Sequence, residues 1–171
     1  MLRLLLLCFN VLLLCACSST PSAGVPEPLP SGRPADFTVA ASVYAPPRAR
    51  PADLPRSLRE GRYVMESHGS LRYGAGERAL PFPGRTRQLS PHQMDQLWRL
   101  VRDSGLLDPE HPAVVENPGS IAASPDRGMA VIYVVFGGER RTLRVLLDRT
   151  GAGATEAERI IDRLAELAWV H

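Results

Sequence analysis

The 171-residue chain contains no lysine; all 20 of its basic residues are arginine. Arginine pairs planar anions better than lysine does, yet total absence of lysine reads first as the mark of a GC-rich genome. Against 18 acidic residues the formal net charge is +2. That balance argues against nucleic-acid binding, which usually shows a clustered and strongly basic footprint. Cysteine is scarce too. Cys8, Cys15 and Cys17 are the only three, and residues 18–171 hold none. An internal disulfide, a thiolate zinc site and an iron–sulfur cluster are thereby excluded from the body of the chain. The sequence also lacks GxSxG, HExxH, P-loop and EF-hand patterns and internal repeats. It calls for no cofactor, no catalytic residue and no metal ligand.

What is present begins at the N-terminus. Met1-Leu2-Arg3 is a short positive stretch, and Leu4 to Leu14 is an apolar run of 11 residues. A membrane-spanning helix needs about 20 apolar residues, so the run has the length of a signal-peptide core. Leu14-Cys15-Ala16-Cys17 follows and resembles the lipobox of bacterial lipoproteins. The resemblance implies cleavage between Ala16 and Cys17, a diacylglycerol thioether on Cys17 and acylation of its new amine. Stable anchoring takes two membrane signals, and several acyl chains on one residue supply them. Ser18 after the cysteine implies sorting to the outer membrane, facing the periplasm, where the host has two membranes.

Residues 17–35 then read as a lipidated cysteine and a disordered tether. Ser18 to Ala35 carries five prolines, four serines and two glycines without an aromatic residue. Such a segment cannot bury enough apolar surface to offset its ordering entropy. It reaches about 23 Å as a coil and about 55 Å if polyproline-like. Residues 36–171 have the length of one domain with one core.

Within that domain Phe37 to Tyr44 predicts a strand, and Ala45 to Ser57, with four prolines, predicts a loop. Arg62 to Tyr73 predicts a hairpin. A three-residue loop with Gly69 left-handed pairs Met65 with Leu71 and Tyr63 with Tyr73, placing all four on one face and Arg62, Glu66, Ser70 and Arg72 on the other. Ser90-Pro91-His92-Gln93 reads as a capping box opening a helix with Met94, Leu97, Trp98 and Val101 inward. Gly105 stops it, and Leu106 and Leu107 tuck back beneath. Gly137-Gly138 joins strands Met129–Phe136 and Glu139–Leu147. Ile132, Val134, Phe136, Leu143, Val145 and Leu147 share the core face. Thr155 to Glu158 reads as a second capping box, before a stripe of Ala157, Ile160, Ile161, Leu164 and Leu167 that ends near Trp169. The expected fold class is α+β, an antiparallel sheet built from hairpins with two α-helices packed on one face.

Candidate sites are few. His68, His92, His111 and His171 are isolated in sequence, so a hydrolase site built from His68, His92 or His111 with nearby carboxylates would need tertiary coincidence. Gly151-Ala152-Gly153 lies between strand and helix, a context in which backbone amides can cradle phosphate; the missing third glycine, the lack of a following lysine and the antiparallel order favour a plain loop with a helix cap. The 20 residues from Asp108 to Arg127 form a loop long enough to be either functional or disordered. On the second hairpin Val131, Tyr133, Val135, Arg140, Thr142 and Arg144 point away from the core. Tyr and Arg favour interface centres, so Tyr133, Arg140, Arg144, Val131 and Val135 are the candidate partner surface. The same face would be silent if other parts of the chain covered it.

Two wider resemblances bear on function. His68-Gly69-Ser70-Leu71-Arg72-Tyr73, followed by the helix region Leu89 to Leu107, is similar to bacterial lipoprotein domains of uncharacterised function. The first helix, Ser104-Gly105-Leu106-Leu107, the Gly-Gly hairpin and the last helix are also similar to emfourin, a bacterial inhibitor of thermolysin-like proteases. The sequence therefore predicts a non-catalytic envelope lipoprotein. Its acylated Cys17 sits in membrane lipid, and its domain binds an envelope protein or cell-wall partner and no nucleic acid. A protease inhibitor is the alternative.

Overall fold

A computed structural model describes residues 28–46, 50, 52, 54–55, 58–76, 83–115, 128–147 and 151–169. The signal segment, Cys17, His171 and the loop residues 116–127 lie outside the described residues. Six strands form one sheet: β1 (Thr38–Tyr44), β2 (Gly61–Met65), β3 (Ser70–Ala75), β4 (Gly84–Gln88), β5 (Met129–Phe136) and β6 (Glu139–Leu146). Their order is β4-β3-β2-β1-β5-β6, and every neighbouring pair is antiparallel. Helices α1 (Pro91–Asp103) and α2 (Ala154–Leu167) complete an α+β fold.

The first hairpin takes the register its glycine predicts. Tyr63 pairs with Tyr73 and Met65 with Leu71, and Gly69 has φ +87°. The N–H of Gly69 bonds the carbonyl of Glu66 at 2.8 Å, closing the three-residue loop. The two tyrosine rings stack at 4.7 Å. In the second hairpin Gly137 and Gly138 both have positive φ, the backbone a two-residue turn requires.

The inward residues of the strands and helices form a single hydrophobic cluster. Val39, Ala41 and Val43 of β1 meet it beside Tyr63 and Met65 of β2, and Ile132, Val134 and Phe136 of β5. Trp98 of α1 lies edge-on to Phe37 at 5.1 Å and tilted against Phe136 at 6.0 Å. Aromatic pairs of this kind add about 0.5–1.5 kcal/mol each beyond area burial. The capping box of α1 is complete: Ser90 Oγ accepts from Gln93 N–H, and Gln93 Oε1 accepts from Ser90 N–H. Gly105 is left-handed after the C-cap Ser104, and Leu106 and Leu107 are buried as expected.

Two features differ from the expectation. Strand β4 carries no alternation that periodicity would detect. It is an edge strand with three exposed residues, held by pairing with β3 through a bulge at Leu71/Arg72. The second capping box does not form. Helix α2 begins two residues earlier than that box implies, at Ala154, with left-handed Gly153 as N-cap and no side-chain bond. A Cβ on Gly153 would fall 2.5 Å from Leu106 Cδ2 and 3.0 Å from His111 Cε1. This close packing sets where the helix starts, and Thr155 is already within it.

Residues 28–35 run along α1. Leu29 packs on the core, Ser31 O accepts Arg102 Nη1 at 2.7 Å, and Arg33 pairs with Asp95 at 2.8 Å.

Candidate functional site

Strand parity divides the sheet into two unlike faces. Along β5, Ala130, Ile132 and Val134 are fully buried, whereas Val131, Tyr133 and Val135 are only half-buried. Across from them on β6, Arg140 and Arg144 are exposed. All five residues named from the sequence thus share the outward face, with Val131 opposite Arg144 and Val135 opposite Arg140.

Strand β1 extends this surface beyond the second hairpin. Arg62 stands opposite Ser42, Ser42 opposite Val131, and Val131 opposite Arg144. A second row runs from Arg85 through Arg72, Val64, Ala40 and Tyr133 to Thr142. The polar side of the first hairpin is therefore continuous with that of the second. Sequence parity identified each hairpin's side separately; the joining needs the position of β1.

The described part of the long loop builds a wall here. Val115 N–H donates to Thr142 O, and Arg144 N–H donates to Ala113 O, both at 2.8 Å. The loop thus runs as a short bridge along the outer edge of β6. Between loop and sheet lies a cavity of about 500 Å³, with Pro109, Val114, Val115, Tyr133, Arg140 and Thr142 in its lining. Beyond the bridge, a smaller space of about 150 Å³ includes Arg144, Pro112 and Gly151 in its lining. The structure brings Tyr133 and Arg140 to the larger cavity and Arg144 to the smaller one. The loop residues of the wall carried no periodic signal; only the length of the segment pointed to them.

Charge on this face is uneven. Arg72 pairs with Glu66 at 3.1 Å, and Glu66 also meets His68 at 3.3 Å. Arg144 Nε points to Met129 Sδ at 3.4 Å. At one end of the sheet Asp36 accepts the N–H groups of Gly138 and Gly137, which hold its carboxyl below the ordinary range. On the inward side burial pushes the Tyr63 hydroxyl above its ordinary pKa.

The described histidines have local partners of their own. His68 faces Glu66, Gln96 Nε2 donates to His92 Nε2 at 2.9 Å, and His111 Nδ1 accepts Ala113 N–H at 3.1 Å. Among the described residues no group of three or more His, Cys, Asp or Glu side chains could hold a metal. No helix of the described residues is long and apolar enough to cross a membrane. The Gly151–Gly153 loop presses on its own chain. A Cβ at Gly151 would lie 2.6 Å from Leu146 O. The amides of Ala154 and Ala157 bond the carbonyls of Gly151 and Gly153.

No protein-family profile matches the chain, and no curated protein does. The functional reading therefore stands on the outward face and on the N-terminal sequence.

Proposed function

We propose that this chain is a lipid-anchored envelope module that binds a partner through the outward face of its sheet and performs no chemistry itself. Cys17, exposed by cleavage after Ala16, carries the lipid. It holds the domain at the outer membrane, facing the periplasm, where the host has two membranes. One observation carries the binding reading: along β5 buried residues alternate with accessible Val131, Tyr133 and Val135, beside Arg140 and an open cavity. An aliphatic and aromatic centre flanked by arginine is the composition of protein-binding surfaces.

Photo-cross-linking tests the reading. A photoreactive residue at Tyr133 of the full chain, expressed in its host envelope, should give a discrete adduct, whereas one at exposed Arg159 of α2 should not. Adducts at Arg159 alone, or none at Tyr133, would overturn the binding face. The anchor has its own test. Cys17→Ser should leave uncleaved precursor and abolish fatty-acid labelling; continued labelling removes the assignment. Thermolysin titrated with micromolar excess of the Cys17→Ser chain should keep its activity. Stoichiometric inhibition would replace this reading with the emfourin-like one.

A further inference from the structure

The chemistry of the partner follows from charge, given the reading that the outward face binds. The sheet gathers five arginines from four strands onto that face: Arg62 of β2, Arg72 of β3, Arg85 of β4, and Arg140 and Arg144 of β6. No outward strand position among the described residues is acidic. Glu66, directly after β2, is engaged by Arg72 and His68. On the adjoining loop the Asp108 carboxylate accepts Glu110 N–H at 2.9 Å.

Arg72 and Arg85 stand directly opposite each other, a cross-strand arrangement that like charge destabilises. Arg140 and Arg144 form no ion pair among the described residues. Arg62 and Arg144 lie three strand spacings apart, about 14 Å. Arg140 and Arg144 are separated by four residues of β6, about 13 Å. Charges this far apart are largely screened from one another at physiological salt, where the Debye length is about 8 Å. An anionic surface laid on the face would exclude that solvent and meet several arginines at once.

We propose that the occupant of this face is an acidic protein surface, with carboxylates reaching Arg140 and Arg144 on either side of the loop bridge and apolar groups over Val131, Tyr133 and Val135. A second copy of the chain fits poorly, because a face-to-face pair would set arginine against arginine. A lipid bilayer would draw on exposed apolar side chains. Among the described residues the exposed large hydrophobic side chain is Trp169, which rests on Arg87, the inward neighbour of Leu71.

The test uses the lipidated chain in detergent and a fluorescein-labelled oligoglutamate peptide, followed by anisotropy. Binding is expected at low salt. Paired Arg140→Glu and Arg144→Glu replacements should weaken it about tenfold or more, and high salt should do the same. Arg140→Gln should give a smaller loss in the same direction, and Arg159→Glu should change nothing. Circular dichroism checks that each variant folds. Absence of peptide binding, or equal loss in Arg159→Glu, overturns the proposal. So does arginine-dependent binding to phosphatidylglycerol vesicles without peptide binding. If Tyr133 cross-links in the envelope but the peptide fails to bind, the acidic partner is wrong and the binding face stands. If Tyr133 gives no adduct, the face itself is wrong.

Discussion

The carboxylate of Asp36 accepts the backbone N–H of Gly138 at 2.7 Å, joining residues 102 positions apart. Its other oxygen takes the N–H of Gly137 at the same distance. The start of the central strand is thereby clamped to the turn of the second hairpin. Gly138 contributes most to the lowered pKa of Asp36, and Gly137 next. A carboxyl whose folded pKa is depressed stabilises the fold above its unfolded value, and the contribution is lost as pH falls through the folded one. NMR titration should put the Asp36 midpoint below 3.8, with the Gly137 and Gly138 amides reporting the same midpoint. A midpoint at or above 3.8 would contradict the clamp.

Trp98 anchors α1 between Phe37 and Phe136. Trp98→Ala should cost about 3–5 kcal/mol of unfolding free energy in urea, a large share of the 5–15 kcal/mol typical of a domain. Among the described residues Trp98 Nε1 is buried without a hydrogen-bond partner, so Trp98→Phe removes an unsatisfied donor along with some volume. Its cost should be clearly smaller. Equal losses in the two variants would show that a phenyl ring recovers none of the packing, and would remove the anchoring role of the aromatic contacts with Phe37 and Phe136.

Gly153 and Gly76 separate packing from backbone strain. Both are left-handed, at φ +75° and +73°, but among the described residues only Gly153 has atoms within 4 Å of where a Cβ would sit. Gly76→Ala should cost about 1–2 kcal/mol from the left-handed backbone alone. Gly153→Ala should cost about 1–3 kcal/mol more, because Leu106 and His111 must move. Thermal unfolding of the two variants side by side checks the order. A Gly153→Ala variant no worse than Gly76→Ala would remove the packing explanation for where α2 begins.

Trp169 is 60% exposed, and the Arg87 guanidinium lies 4.0 Å from its ring centroid. Arg87 Nη1 also donates to Leu167 O at 3.2 Å, so one side chain ties β4 to the end of α2. An exposed cation–π contact is worth about 0.5–1 kcal/mol. Trp169→Ala should lower stability by about that amount and remove the acrylamide-accessible fluorescence, leaving the buried Trp98 signal. If quenching survives in Trp169→Ala, the assignment of buried and exposed rings is reversed.

The parts of the fold that were legible in the sequence are those where one residue dictates local geometry. Gly69 and Gly137-Gly138 chose turn types, and each turn set the register of its hairpin. Ser90, Pro91 and Gln93 marked the start of α1 because all three act within one helical turn. The parts that were not legible depend on distant neighbours. Gly84 to Gln88 becomes a strand only because β3 offers it hydrogen bonds, since its own side chains are too exposed to alternate. Thr155 has the pattern of a cap, but contacts of Gly153 with Leu106 and His111 override it. Arg85 was missing from the candidate surface for the same reason that β4 was missing from the fold.

Local pattern was enough to say which way each side chain of the two hairpins points, because strand period and turn geometry leave one choice once a face is apolar. The same parity put Tyr133, Arg140 and Arg144 on one side. That β1 pairs with β2 on one edge and β5 on the other emerges only in the folded sheet. That pairing is a long-range hydrogen-bond choice with no local signature. It turns the outward sides of two separate hairpins into one arginine-bearing surface.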